Sequence, residues 1–145
     1  MISSRPILAV LLLVMLVSCK AEKETINYGK DVCEHCKMIA MDPKFGAEVI
    51  TAKGKIYKFD DVNCMVTYMK TVLSNSEIAE IYVADFIRTG ELISANSANY
   101  VYSEAVRSPM ASGVAAFSDQ QSMAGQNDKW QGTVLDWEAI NKKFE

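Results

Sequence analysis

The chain has 145 residues, 23% of them charged, and a net charge of −3, which suits one ordinary domain or two very small ones. This mildly acidic balance gives no basic face for nucleic acid, so we expect no nucleic-acid partner. The sequence shows no general acid/base pair, phosphate-binding loop or Ser-His-Asp set, and we therefore expect a protein that is not an enzyme.

The N-terminus has the features of an export signal. Arg5 precedes an unbroken apolar run, Ile7 to Val17, which is too short to span a bilayer of ~30 Å but matches the apolar region of a signal peptide. The run ends in a stretch that resembles a bacterial lipobox, so residues 1–18 are the predicted signal peptide and Cys19 the lipid-modified residue. An ordinary signal peptide with a chance cysteine is the alternative. Lys20, where an aspartate would favour retention in the inner membrane, favours the outer membrane.

Residues 19–31 are polar, with few apolar side chains, and we expect them to tether the lipid to the domain. The next stretch, Cys33-Glu-His-Cys-Lys-Met38, concentrates two thiols, the only histidine and a thioether. Pro43 disfavours helix at the preceding residue, so we expect this cluster on a loop before the first strand.

The middle of the chain predicts a strand-strand-helix-strand unit. Residues 47–59 read as a hairpin that turns at Lys53-Gly54, where glycine allows a positive φ. A helix follows from about Asp61 to Leu73, with Asp60 or Asp61 as its N-cap. The β-prone run from Glu80 to Ile87 predicts a buried strand.

The second half repeats this order, although the shared motifs are short. Its predicted elements are strands at 100–102 and 113–117, a helix at about 119–129, a strand at 133–137 and a final helix at 138–144. The sequence therefore predicts an α+β fold of two small strand-strand-helix-strand halves with antiparallel sheets, at residues 32–88 and 89–145.

Three interpretations of Cys33 and Cys36 remain open. A structural disulfide suits an oxidising compartment, but it would close a very small loop and remove little entropy from the unfolded chain. A redox-active dithiol resembles the Cys-x-His-Cys of disulfide isomerases, although no strand precedes it here. We favour a Cu(I) site, because the thioethers of Met38 and Met41 are soft donors that suit copper. A zinc site would need a second ligand pair, which the sequence lacks.

Other sulfur and nitrogen donors are harder to assign. His35 is either a ligand or a group that lowers the pKa of its neighbouring thiols. Met110 lies in a turn-rich stretch, so it is equally a ligand or a hydrophobic anchor for the loop. Cys64 lies beside the apolar face of the predicted helix and reads first as a small buried residue, although the helix can present it to a metal.

An ordered set of motifs resembles the NosL family, the accessory lipoproteins of nitrous oxide reductase. The motifs are the lipobox at Cys19, Cys33-x-x-Cys36-x-Met38, residues 42–45, 59–61, 108–110 and 116–118. The resemblance implies a Cu(I)-binding metallochaperone with a topology shared with the organomercurial lyase MerB. It also implies delivery of copper to the copper-sulfide centre of the reductase in denitrification, with a membrane ABC-type complex as docking partner on the periplasmic side.

The resemblance assigns the metal to Cys33, Cys36, Met38 and Met110, with His35 as a further candidate. One position departs from the family pattern, because Lys37 stands where a glycine is usual. Glycine permits a positive φ or a close approach of the backbone. The conformation of the loop at Lys37 therefore decides how closely the site follows the family.

Overall fold

The computed structural model describes residues 21–144. The first half contains β1 (Ala47–Thr51), β2 (Ile56–Phe59), α1 (Val62–Thr71), β3 (Ile78–Ala84) and β4 (Leu92–Ser94). The second half contains β5 (Asn99–Tyr102), β6 (Val114–Phe117), α2 (Gln120–Trp130), β7 (Thr133–Leu135) and α3 (Trp137–Lys143). The predicted α+β fold is confirmed.

The two halves build their sheets in the same way. The strand order is β2-β1-β3-β4 in the first sheet and β6-β5-β7 in the second, and all pairs within the sheets are antiparallel. In each half the first strand therefore lies between its hairpin partner and the strand that follows the helix. Strand β4 was not predicted, because three residues carry almost no periodic signal; it extends the first sheet beyond residue 88.

Local sequence explains where the first elements begin and turn. Gly54 has φ +80° in the turn between β1 and β2, a conformation that glycine adopts without strain. Helix α1 begins after Asp61, whose side chain accepts a hydrogen bond from the N–H of Val62. The buried face of α1 consists of Val62, Cys64, Met65, Val66 and Met69.

A shared core holds the two halves together. Phe59 and Met65 from the first half pack in one buried cluster with Tyr100, Val114 and Ile140 from the second. Because the apolar side chains of both halves fill the same core, the relative position of the sheets is set by packing.

Residues 21–31, expected to belong to a tether, lie against the first sheet. Ile26 is buried with Ala84 and Leu92, and the N–H of Glu24 donates to Oε1 of the buried Glu48 at 3.0 Å. One apolar side chain and a few hydrogen bonds are enough to order a short polar segment on a preformed surface. The predicted signal peptide and Cys19 lie outside the described residues. No helix within residues 21–144 is long and apolar enough to cross a membrane.

Candidate metal centre

The sulfur-rich loop is a tight turn anchored on β2. Val32 and Ile39 form an isolated antiparallel bridge, and within it the N–H of Cys33 donates to the carbonyl of Met38 at 2.8 Å. The N–H of Glu34 donates to the carbonyl of Lys58 in β2 at 2.9 Å. These bonds hold the loop in one position above the start of α1.

Lys37 has a backbone conformation that usually belongs to glycine. Its φ is +63°, in the left-handed region that costs a residue with a side chain ~1–2 kcal/mol. The loop therefore keeps the turn that a glycine would favour, and the lysine is accommodated with strain. Backbone strain of this kind is concentrated at functional sites in proteins.

The loop and the start of α1 bring four metal-binding side chains together. One ligand atom from each of Cys33, Cys36, Asp60 and Cys64 lies within 4.8 Å of the others. Cys33 and Cys64 are only 0% and 3% exposed, and Cys36 is partly exposed. No disulfide joins these cysteines, the only ones in residues 21–144, so the three thiols are available as soft donors for copper.

Hydrogen bonds separate the pKa values of the three thiols. A bond from the Cys64 thiol lowers the pKa of Cys33 to about 6 against the effect of burial, and the N–H groups of Cys36 and Asp60 act in the same direction. Burial raises the pKa of Cys36 to about 11. Donation to Cys33 also raises the pKa of Cys64. Because a metal binds the thiolate form of cysteine, loading of a metal onto all three releases protons.

Asp60 lies next to the three thiols, and one of its carboxylate oxygens accepts no hydrogen bond from the described residues. The side chain is 2% exposed, its Oδ2 accepts a hydrogen bond from the Cys36 thiol at 3.5 Å, and its Oδ1 has no hydrogen-bond partner among the described residues. A carboxylate is a hard donor that suits Cu(I) poorly. We therefore expect Asp60 to accept from the Cys36 thiol in the metal-free protein and not to ligate copper.

The structure places the other predicted ligands at different depths. Met38 is 56% exposed and Met41 is 67% exposed, so both thioethers lie on the surface. His35 is also exposed and does not belong to the group of four. Met110 is partly buried and packs against the same core cluster as Cys33 and Cys64.

The loop that carries Met110 is held by the first turn of α1. Asp61 Oδ2 accepts a hydrogen bond from the N–H of Met110 at 3.0 Å, and Asn63 Nδ2 donates to the carbonyl of Met110 at 2.9 Å. Ala111, directly after Met110, is a second strained residue, with φ +55°. Met110 from the second half is therefore fixed next to the helix turn that carries Cys64.

Asp60 and Cys64 are the two members of the group that sequence reasoning did not assign to the site. Asp60 was considered as an N-cap, a role that Asp61 fills, and Cys64 was read first as a core residue. Their spacing is the signal that was available, because residues four apart near a helix start lie on the same side of the first turn. The sequence around these two residues does not indicate that this side of the helix faces the sulfur-rich loop.

The sequence matches a known protein family. The family model NosL matches residues 25–144, which is most of the chain. The chain belongs to the NosL family. This confirms the recognition made from the motifs, and it agrees with the prediction that the chain is not an enzyme.

A solved structure of the NosL family has the same fold. The crystal structure of the copper chaperone NosL from Shewanella denitrificans matches with a TM-score of 0.71 at 16% sequence identity, over 82% of this chain and 95% of that one. At this identity the match establishes the architecture of the two halves. No curated protein sequence matches the chain.

Proposed function

We propose that this member of the NosL family is a lipid-anchored, extracytoplasmic Cu(I) chaperone that delivers copper for assembly of the copper-sulfide centre of nitrous oxide reductase. The observation that carries the proposal is the group of three unpaired thiols at Cys33, Cys36 and Cys64, with the exposed Met38 in the loop that holds the first two. Sulfur donors of both kinds are those that Cu(I) prefers.

The depth of the donors suits a protein that must both hold and release copper. The buried sulfurs exclude water and competing ligands, whereas Met38 is exposed to an approaching partner. A partner that supplies its own sulfur ligands can then exchange them one at a time with those of the loop. We propose the reductase and its ABC-type maturation complex as these partners, on the periplasmic face of the membrane.

A thiol-disulfide oxidoreductase is the competing function, and the lowered pKa of Cys33 is the observation that favours it. An attacking thiolate must reach the disulfide of its substrate. Cys33 is 0% exposed, which prevents this attack unless the loop opens. Metal binding is therefore the better supported use of the cysteines.

Titration of the reduced, full-length protein in detergent with Cu(I), against a chromophoric Cu(I) chelator, tests the proposal. Cys33→Ser and Cys36→Ser should each weaken binding by more than about 100-fold, because even a residue that only supports a ligand contributes ~10–100-fold. Met123→Leu is the matched control, since Met123 is buried in a separate cluster of the second half and the change nearly conserves volume. Failure of the wild-type protein to compete for Cu(I) would contradict the proposal.

A further inference from the structure

The first turn of α1 contains two residues that reach across to the second half of the molecule. Three residues lie between Asp60 and Cys64 in sequence. Two of them, Asp61 and Asn63, contact the Met110 loop, whereas Asp60 and Cys64 belong to the candidate metal centre. One helix turn therefore contacts both the thiols of the first half and the Met110 loop of the second half.

Both backbone groups of Met110 are engaged from this turn. Asp61 Oδ2 accepts from its N–H at 3.0 Å, and Asn63 Nδ2 donates to its carbonyl at 2.9 Å. The N–H and the carbonyl of Met110 belong to the two peptide units on either side of its Cα. Holding both restricts φ and ψ of Met110, and so the direction in which its Cα–Cβ bond leaves the loop. Ala111, with its strained φ of +55°, lies between two residues that Asp61 binds. Asp61 accepts from the N–H of Met110 before it and, through Oδ1, from the hydroxyl of Ser112 after it at 2.7 Å.

Asn63 links this loop directly to the thiol group. Its Oδ1 accepts from the N–H of Cys64 at 2.8 Å, while its amide nitrogen holds Met110. The single side chain therefore sets the distance between the backbone of a buried thiol in the first half and that of a thioether residue in the second. A movement of the Met110 loop away from α1 breaks the bond to Asn63.

We propose that Asn63 is a positioning residue for copper binding. It holds Met110 where the thioether can complete the site that the thiols begin, and the buried Asp61 holds the same loop. The inference rests on the proposed function, and specifically on Met110 as a ligand. Residues that orient metal ligands commonly contribute ~10–100-fold to affinity. Asn63 is partly exposed, so it is open to substitution, whereas Asp61 is fully buried with several partners.

The test compares Asn63→Ala, Met110→Leu and the double variant in the full-length reduced protein, titrated with Cu(I) against a chelator. We expect Asn63→Ala to weaken Cu(I) binding by about tenfold. In the Met110→Leu background the same change should add little, because Asn63 acts through Met110 and coupled residues are not additive. Asn99→Ala is the matched control, since Asn99 also donates its amide to a backbone carbonyl, that of Phe117.

A spectroscopic measurement separates positioning from general weakening of the fold. In wild-type protein labelled with selenomethionine, copper-edge X-ray absorption should show scattering from selenium. This scattering should decrease in Asn63→Ala as it does in Met110→Leu. Asn63→Asp serves as a second variant, because it keeps an acceptor for the N–H of Cys64 and replaces the donor to Met110 with a carboxylate oxygen that the carbonyl of Met110 repels. We expect it to lose the same scattering.

The outcomes distinguish this inference from the proposed function. Equal losses from Asn63→Ala in the wild-type and Met110→Leu backgrounds would overturn the positioning role, as would unchanged affinity and selenium scattering in Asn63→Ala. If Met110→Leu binds like the wild type, the inference fails while copper binding by the thiols stands. If the wild-type protein does not bind Cu(I), the proposed function fails as well.

Discussion

Residues of the candidate site have two features that lower the stability of a fold, namely backbone strain and a buried polar atom without a hydrogen bond. Lys37 and Ala111 each have a positive φ directly beside a candidate ligand, and the buried Asp60 keeps an oxygen without a partner among the described residues. Strain and an unsatisfied polar atom persist only where the surrounding structure imposes them. Of the three non-glycine residues with a positive φ among residues 21–144, two lie beside Cys36 and Met110 and the third, Gln131, ends α2. The two strained loops support Cys36 and Met110 as candidate site residues.

Lys37→Gly should stabilise the protein. The change removes left-handed strain of ~1–2 kcal/mol, and it loses a surface ion pair with Glu34 at 2.7 Å, a type of contact that contributes ~0–1 kcal/mol. After the greater backbone entropy of glycine in the unfolded chain is included, we expect a net gain of ~0.5 kcal/mol. Urea unfolding monitored by circular dichroism measures it.

Lys30→Gly is the control for this change, because Lys30 is exposed and is not among the described residues with a positive φ. It should destabilise the protein slightly, since only the entropy of the unfolded chain changes. The interpretation of strain at Lys37 is wrong if both substitutions lower the free energy of unfolding equally.

At the scale of elements, two aspartates of the first half hold the second half. In the first half, Asp61 binds the Met110 loop. Asp85, which follows β3, accepts from the N–H of Ser118 at 3.1 Å and pairs with Ala116 in an isolated parallel bridge. These buried carboxylates join the two sheets at specific points, which apolar packing alone does not define.

Asp85→Asn should weaken this junction. Burial acts to raise the pKa of Asp85, but hydrogen bonds from Ser118, Arg88 and Ile87 outweigh it and lower the pKa below its ordinary value. An amide accepts fewer of these bonds, and we expect a loss of ~1–3 kcal/mol in the free energy of unfolding at pH 7. Chemical denaturation at a series of pH values measures the loss.

The sign of the pH dependence follows from the lowered pKa. The ionised carboxylate of Asp85 stabilises the folded state above the ordinary pKa of ~4, and this contribution disappears as the pH falls through the lowered value. The difference between wild type and Asp85→Asn should therefore shrink on acidification. Asp128→Asn, at an exposed position of α2, should change stability by less than ~0.5 kcal/mol. A difference for Asp85→Asn that grows in acid would contradict this account.

At the scale of the whole molecule, the proposed role needs the domain at a membrane surface. Cys19 is the predicted attachment point, and the described domain begins close after it, with residues 21–31 packed on the first sheet. A short connection would keep the proposed copper site near the membrane, where the proposed ABC-type partner would be embedded.

Cys19→Ser should abolish lipid attachment. Cells fed a labelled fatty acid should incorporate it into the wild-type protein and not into this variant, because the acyl anchor is formed on the sulfur of Cys19. Cys64→Ser is the matched control and should be labelled like the wild type, since Cys64 is buried in the domain. Labelling of Cys19→Ser would show that the anchor lies elsewhere or that the lipobox is a chance match.

The sequence by itself determined most of the elements and the sulfur-rich character of the candidate site. The hairpin turn at Gly54, the capped helix α1 and the closely spaced Cys33, Cys36 and Met38 are local features, set by backbone preference and by spacing along the chain. The family followed from an ordered set of such motifs.

Only the tertiary structure decided which distant residues share the site. Cys64 and Asp60 join the sulfur loop because α1 packs with its first turn beneath that loop. Asp61 and Asn63 hold the loop of Met110, the ligand proposed from the other half, next to the same turn. Local patterns do not specify such contacts. The shared core fixes how the halves pack, and the site forms where that packing brings the loop, the helix start and the Met110 turn together.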